Sequence, residues 1–327
     1  MKVLVTGADG LLGSHIVRTL LEDGYSVKAL VLPGSYSKTL KGLPIDFFEG
    51  NICNLADVRQ AMTDCKVVIH AAASTKLWPT RSKGIWAVNL GGTENIVTAA
   101  LERNLERLIY ISSAVSFKHG PKNNPGNESQ LYDGYRFHLD YLDSKYKAQE
   151  YVLEATRTKG LPAVVINPTF MFGEYDSQPS SGKMIVAVYK GTLPGYTHGG
   201  KNFVYAKDVA RATVNAITKG RIGQCYIAGN INLSYAELFE KMSKVIGTKM
   251  PRFILPNPMI RTIGYAGTLI GWLFKVQPNI NHATAKISCE GQYYSPEKAV
   301  SELGMPQTPI EEAIQAAFSW LKSNGYC

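Results

Sequence analysis

An α/β fold, a doubly wound parallel sheet with a smaller C-terminal part, is predicted by two features of the 327-residue sequence. Short β-branched runs alternate with amphipathic segments through the first half, which is the rhythm of βαβ units. After Pro168 that rhythm loosens into loops bearing Gly, Pro and Ser, mixed with shorter helices. With 45% hydrophobic and 19% charged residues, the chain suits one large globular unit or two closely joined domains, and the composition argues against disorder.

The elements follow in order. Val3 to Thr6 is a strand and about Leu11 to Glu22 a helix; Val27 to Leu32 is a strand and the region near Leu55 to Met62 a helix; Val67 to His70 is a strand. A helix around Leu90 to Arg103, a strand from Arg107 to Ser112, a helix around Tyr141 to Lys159 and a strand from Ala163 to Asn167 continue the pattern. Strands separated by helices in this way lie parallel and wind in both directions from the first. Farther on, Phe203 to Tyr205 reads as a short strand that can return to the main sheet, with Asp208 as a helix N-cap.

The segment Thr6-Gly-Ala-Asp-Gly-Leu-Leu-Gly13 lies between the first strand and the first helix. Gly7 permits a tight turn, Gly10 lets the backbone approach a phosphate, and Gly13 allows the helix to pack closely. Free N–H groups at the helix start attract the anion. Such a turn binds a dinucleotide in a Rossmann-like sheet, with Gly7, Asp9, Gly10, Leu11, Leu12 and Gly13 as contacts. Residues 1–170 are therefore expected to bind NAD(P) and residues 171–327 the substrate, with about 203–230 returning to the sheet.

A carboxylate near the end of the second strand would hold the ribose hydroxyl of NAD, yet no Asp or Glu occurs from Tyr25 through Ile45, where Lys28, Lys38 and Lys41 do. This favours NADP over NAD. Lys38 and the hydroxyls of Ser35 and Ser37 are candidate contacts for its 2′-phosphate, and a solvated loop is the alternative. The small side chains of Ala71, Ala72 and Ala73 would let the dinucleotide lie close, and His70 before them reads as a packed structural histidine.

Reduction of a ketone by a nicotinamide needs a proton donor at the carbonyl oxygen. A tyrosine serves near neutral pH when a nearby cation favours its phenolate, and a lysine four residues later shares its helix face. Tyr-x-x-x-Lys occurs at Tyr141 and Lys145 and again at Tyr294 and Lys298. The second contains Pro296 and lies far from the strand ends, so Tyr141 and Lys145 are the catalytic candidates. Ile111-Ser112-Ser113-Ala114 ends the preceding strand, at the sheet edge where ligands bind. Ser113, ahead of Ser112, would bond the substrate oxygen. Asn89 would assist through a water near Lys145.

The formal net charge of +9 fits an anionic cofactor, an anionic membrane surface or nucleic acid. Scattered basic residues without an aromatic-interleaved signature make nucleic acid the weakest of these. Five cysteines without metal-ligand spacing are expected as reduced thiols, with no metal site. Met1 runs straight into the first strand, so no signal peptide is expected and the location is expected to be cytoplasmic. Thr262 to Phe274 is apolar but shorter than the roughly 20 residues of a membrane span. From Arg252 to Lys275 the chain is apolar and basic with no acid. That suits peripheral contact with a membrane from which a lipid substrate enters, and ordinary packing of helices is the alternative.

The spacing T-G-x-x-G-x-x-G, together with Ser113, Tyr141 and Lys145, resembles the extended short-chain dehydrogenases/reductases. Lys76-Leu-Trp78, Asn89-Leu-Gly-Gly-Thr-Glu-Asn95, Asn167-Pro-Thr-Phe-Met-Phe-Gly173 and Gly220-Arg-Ile-Gly223 extend the likeness over nearly the whole chain. It is similar to the dihydroflavonol 4-reductase-like branch and to hopanoid-associated sugar epimerases. The resemblance implies reduction of a bulky, lipophilic ketone, such as a ceramide-like 3-ketolipid, a sterol or a flavonoid-like compound, or oxidation of the matching alcohol. A nucleotide-sugar epimerase or dehydratase with bound NAD is the alternative, and a non-enzymatic NAD(P)-binding sensor a further one. Asn167-Pro-Thr-Phe favours the reductases, since sugar-nucleotide enzymes more often have Arg-Pro-Phe-Asn there. The likeness also places Asn51 and Ile52 beside the adenine and Pro168 at the cofactor. It departs at Leu32, where NADP-using relatives often have arginine. The pocket is expected to be walled by Trp78, Phe117, Phe170, Phe172, Tyr196 and Phe203, with Lys183 as a polar anchor. Relatives are often homodimers.

Overall fold

The computed structural model describes residues 1–34 and 38–327. In chain order the strands are β1 (Lys2–Thr6), β2 (Ser26–Val31), β3 (Asp46–Glu49), β4 (Val67–His70), β5 (Arg107–Ile111), β6 (Ala163–Pro168), β7 (Phe170–Phe172), β8 (Gly195–Tyr196), β9 (Gly200–Tyr205), β10 (Cys225–Ala228), β11 (Ile231–Ser234), β12 (Phe253–Ile254) and β13 (Gly291–Gln292). The helices are α1 (Leu11–Glu22), α2 (Leu55–Ala61), α3 (Lys83–Trp86), α4 (Gly92–Glu102), α5 (Asp140–Lys159), α6 (Gly182–Tyr189), α7 (Ala206–Lys219), α8 (Tyr235–Ile246), α9 (Asn257–Phe274), α10 (His282–Ser288), α11 (Glu297–Leu303) and α12 (Ile310–Ser323).

Seven strands form the main sheet in the order β10-β6-β5-β4-β1-β2-β3. Every pairing in it is parallel. The central strands β1 and β4 are buried along nearly their whole length, which explains why their sequences are continuous apolar runs rather than alternating ones. One face is covered by α1, α7 and α11, whose Ile16, Val17, Val209, Ala210 and Leu303 pack on alternate strand residues. The other is covered by α2, α4 and α5 through Val58, Ile96, Val97, Ala148 and Val152.

Phe203 to Tyr205 does not return to the main sheet. It belongs to β9, the centre of a second sheet, with β11 antiparallel on one edge and β13 and then β7 parallel along the other. The strand that joins the main sheet is β10, beside β6. Asp208 is likewise the third residue of α7, in its first turn, rather than its N-cap, a position held by Tyr205. Its buried carboxylate accepts instead from the Thr308 amide (2.9 Å) and hydroxyl (2.8 Å). The second sheet packs on α6, α8 and α12 around Phe172, Phe203, Leu238 and Ile314. Among the described residues no helix is long and apolar enough to cross a membrane.

Buried Asn202 of β9 ties these parts together. Its amide nitrogen donates to the Asn232 side chain (2.8 Å) and the Tyr294 carbonyl (3.1 Å), while its oxygen accepts from the Thr169 hydroxyl (2.8 Å) and the Asn230 amide (2.9 Å). Asn202→Ala strands several of these groups in the interior. It is expected to destabilise the protein by about 2–3 kcal/mol in urea unfolding, and a midpoint within error of the parent would refute this role.

Candidate active site

β1 and β4 are neighbours, but the helices that follow them, α1 and α4, pack on opposite faces of the sheet. Their carboxyl ends thus open a crevice at the switch point of the strand order. Gly7 closes the turn with φ +65°, and a Cβ on it would lie 2.7 Å from Ala72 Cα. A Cβ on Gly13 would overlap the Gly7 carbonyl oxygen, so α1 seats directly on the turn. At Gly10 the nearest atom is 3.4 Å from the position a Cβ would take, which leaves that side open. The start of α1 has no side-chain cap and no acidic residue in its first turn. Its N–H groups are left without side-chain partners next to the open side of Gly10, the cradle where an anion would meet them. The residues present fit a dinucleotide pyrophosphate.

A run of hydrogen bonds leads from this cradle to the candidate catalytic helix. The Ala72 amide donates to Thr6 Oγ1 (3.2 Å), which lies 2.7 Å from His70 Nδ1; His70 Nε2 lies 3.1 Å from Thr93 Oγ1. Thr93 gives its hydroxyl hydrogen to the Asn89 carbonyl (2.7 Å), so His70 Nε2 must donate and Nδ1 must accept from Thr6. Burial keeps this ring neutral, pushing its pKa down to about 3. Asn89 Nδ2 then donates to Ser144 Oγ (3.0 Å), and Ser144 donates to the Tyr141 carbonyl (3.1 Å). Every hydrogen in the chain points from β4 toward α5.

Asn89 sits in a π-helical turn, Ala87–Gly91, between α3 and α4. The extra residue in that turn turns its carboxamide inward. There it clamps both backbone groups of Ser74, accepting from the amide (2.7 Å) and donating to the carbonyl (3.1 Å). Its direct partner toward α5 is therefore Ser144.

On α5, Lys145 is buried and its Nζ donates to the Ile111 carbonyl at the end of β5 (2.7 Å), 4.8 Å from the centre of the Tyr110 ring. Burial draws its pKa from 10.5 down to about 7. Tyr141, one turn earlier, has its phenol raised by burial, and a hydrogen bond with Ser113 pulls it partly back. Desolvation is the leading influence on this phenol and Ser113 the opposing one. Ser112 is buried and turned to Ser116 (3.2 Å), whereas Ser113 is partly exposed. Tyr294 and Lys298 are elsewhere, donating to the Phe117 carbonyl (3.1 Å) and Gln224 (2.8 Å).

Sequence reasoning missed Asn167 and Gln149. Wholly buried Asn167 donates to the Ser113 carbonyl (2.9 Å) and to Gln149 Oε1 (2.6 Å), fixing the turn that carries Ser113. The available signal was a polar residue at the end of an otherwise apolar strand. Thr6 and Thr93 were missed because their partner, His70, lies far away in sequence.

Around the adenosine end, Asp9 is partly buried and its carbonyl accepts from Thr39 (3.1 Å). Lys38 is exposed at the start of a 3₁₀ turn, and Leu32 is also exposed. Ser35 and Ser37 lie outside the described residues. Lys28 is turned away, donating to the Thr63 carbonyl (2.7 Å). Asn51 is exposed with its side-chain oxygen accepting from the Cys53 amide (2.9 Å). Ile52 is buried, and its Cδ1 fills the space beside Gly92. Leu11 and Leu12 open α1, Ala71 to Ala73 are partly exposed beside Gly7, and Pro168 ends β6.

Of the expected pocket wall, Trp78, Phe170 and Tyr196 are partly exposed. Phe172 and Phe203 are corrected to core residues: both are wholly buried and stack at 5.8 Å, because β7 and β9 turn this face toward α8 and α12. Phe117 is also buried, in the core under α5. Lys183 is exposed on α6. The interior cation of this part is Lys201, which donates to Gln292 Oε1 (2.5 Å), lies 5.7 Å from the Phe170 ring centre, and is pushed down to about 8 by burial.

Residues 3–231 match the NAD dependent epimerase/dehydratase family. A putative dihydroflavonol 4-reductase of Synechocystis is 31% identical over 98% of this chain and 95% of its own length. Sterol demethylase protein B of Methylococcus capsulatus is 25% identical over 99% of each. The crystal structure of PA4631, a nucleoside-diphosphate-sugar epimerase from Pseudomonas aeruginosa, superposes with a TM-score of 0.81 at 26% identity, covering 100% of this chain and 99% of that one.

The folded pKa of Lys145, about 7, lies below its ordinary 10.5. Between those values the unfolded chain binds more protons, so this residue's contribution to stability rises with pH and is least favourable below pH 7. Lys145→Met should therefore gain most in melting temperature relative to the parent at pH 6, with the difference closing toward pH 9. Parallel melting curves across that range would show that the amine is not desolvated.

Proposed function

The chain belongs to the NAD-dependent epimerase/dehydratase family, and on that premise we propose that it is an NADP-dependent reductase of a bulky, lipophilic ketone, reversible as an alcohol dehydrogenase. It is an NAD(P)-dependent oxidoreductase acting on C=O and CH–OH groups. The finer reading rests on one observation above all: Tyr141 lies one helical turn from buried Lys145, whose amine bonds the end of β5 just ahead of Ser113. The names of the relatives point to flavonoid-like and sterol substrates, and a ceramide-like 3-ketolipid shares with them only a ketone on a bulky apolar frame. The partly exposed aromatics Trp78, Phe170 and Tyr196 suit such a substrate better than a sugar.

Gly7, Gly10, Gly13 and the start of α1 would hold the pyrophosphate, and Ala71 to Ala73 the adjoining part of the cofactor. A bound nicotinamide supplies the hydride. Tyr141 stays protonated at neutral pH because burial holds its phenol above its ordinary 10, so it delivers a proton to the substrate oxygen. Ser113 gives that oxygen a second hydrogen bond and orients it. Lys145, near its midpoint at neutral pH, would bond the nicotinamide ribose and resupply the proton. The preference for NADP is supported by the acid-free segment from Tyr25 through Ile45 and by exposed Lys38.

Tyr141→Phe is expected to bind NADPH with unchanged affinity and to lose about 10²–10⁴-fold in ketone-dependent NADPH oxidation, assayed over ketolipids, steroids and flavonoids. Unchanged turnover would refute the proton-donor role. The epimerase reading is favoured by the PA4631 structure. Denaturing the purified protein separates the two: a reductase releases little nucleotide and exchanges NADPH freely, whereas stoichiometric release of NAD would establish the epimerase.

A further inference from the structure

Helix α9 meets the rest of the molecule through glycines. A Cβ on Gly264 would run into Ala285 of α10, one on Gly267 into the Ile280 carbonyl, and one on Gly271 would lie 2.7 Å from the Trp78 ring. With the small residues turned inward, the large ones face out. Trp272 is 73% exposed, Phe274 70% and Tyr265 67%, and Leu269, Ile270 and Leu273 are each half exposed or more. Phe253 and Ile254 of β12, just ahead of the helix, are also exposed. From Lys241 through Cys289 there is no Asp or Glu, whereas Lys249, Arg252, Arg261 and Lys275 are all exposed.

We propose that this face docks on an anionic phospholipid surface, with α9 lying in the plane of the interface. An exposed apolar surface of this kind marks an interaction site. Its eighteen residues do not make a spanning segment, which leaves the interfacial mode, in which aromatics enter the headgroup boundary while cations remain with the phosphates. The charge pattern selects the occupant. A two-fold contact between copies would set the same cations against one another, whereas every one of them is favourable against anionic lipid.

The surface is also close to the chemistry. α9 touches Trp78 at Gly271, Asn281 donates to the Leu77 carbonyl (3.0 Å), and Ala283 of α10 packs in the cluster that includes Leu142 and Tyr141. Docking does not depend on the reductase reading. Delivery of a lipophilic ketone from the docked membrane past Trp78 does.

The test is co-sedimentation of the full chain, without nucleotide or ketone, with vesicles of phosphatidylcholine alone and of phosphatidylcholine mixed with phosphatidylglycerol. The protein is expected to pellet with the mixed vesicles at low salt and to be released at high salt. Arg261→Glu with Lys275→Glu should weaken partitioning on the order of tenfold or more. Leu269→Ser, Trp272→Ser and Leu273→Ser together should abolish it while NADPH binding and melting temperature are retained. Failure to pellet with either vesicle at low salt would overturn the proposal, as would equal binding to neutral vesicles. So would light scattering that shows a dimer which the triple variant converts to monomer. Since no substrate is present, each of these results leaves the assignment of the reaction untouched, and failure of the ketone assays leaves docking untouched.

Discussion

The approach of Gly7 to Ala72 is the constraint from which the rest of the site is built. Two parallel strands end side by side, and the turn after one passes so near the backbone after the other that no methyl group fits between them. That contact holds the start of α1 over the carboxyl edge of the sheet. Gly13 repeats the arrangement one turn along, with α1 resting on the Gly7 carbonyl. The phosphate cradle is thus a consequence of how closely backbone can meet backbone, and side chains contribute chiefly by being absent.

A second consequence is mechanical. Thr6, at the end of β1, is joined through neutral His70 and Thr93 to Asn89, and through Asn89 and Ser144 to the backbone of Tyr141. The cradle and the candidate proton donor are parts of one hydrogen-bonded unit whose donors and acceptors admit a single arrangement. Asn167 and Gln149 do the same for the turn carrying Ser113. A site assembled this way is fixed before any ligand arrives, which is the condition for aligning a hydroxyl with a reacting oxygen.

Much of this was legible in the sequence, and the rest was not for identifiable reasons. The alternation of apolar runs with amphipathic segments announces a parallel sheet because both faces of such a sheet are buried. The spacing of Tyr141 and Lys145 announces a shared helix face. Phe172 and Phe203 looked equally suited to line a pocket or fill a core, since an aromatic side chain carries no mark of which face its strand presents; pairing of β7 with β9 decided for the core. The π turn at Asn89 and the long-range partners of His70 have no local signature. Asp208 was mistaken for a cap because a buried acid whose partner, Thr308, is 100 residues away resembles one whose partner is adjacent.

The composition of the main sheet bears on how the chain must assemble. β10 pairs with β6 only after an excursion of more than fifty residues, and the face carrying α1 is closed by α7 and then by α11 near the C-terminus. A ribosome that has released the first 170 residues has therefore produced an edge strand without its neighbour and an apolar face without its lid. Completion of the sheet waits for β10 and closure of its α1 face for α11, so a fragment cut between β6 and β7 lacks both. The second part is subject to the same delay, since β9 meets β13 only about ninety residues later.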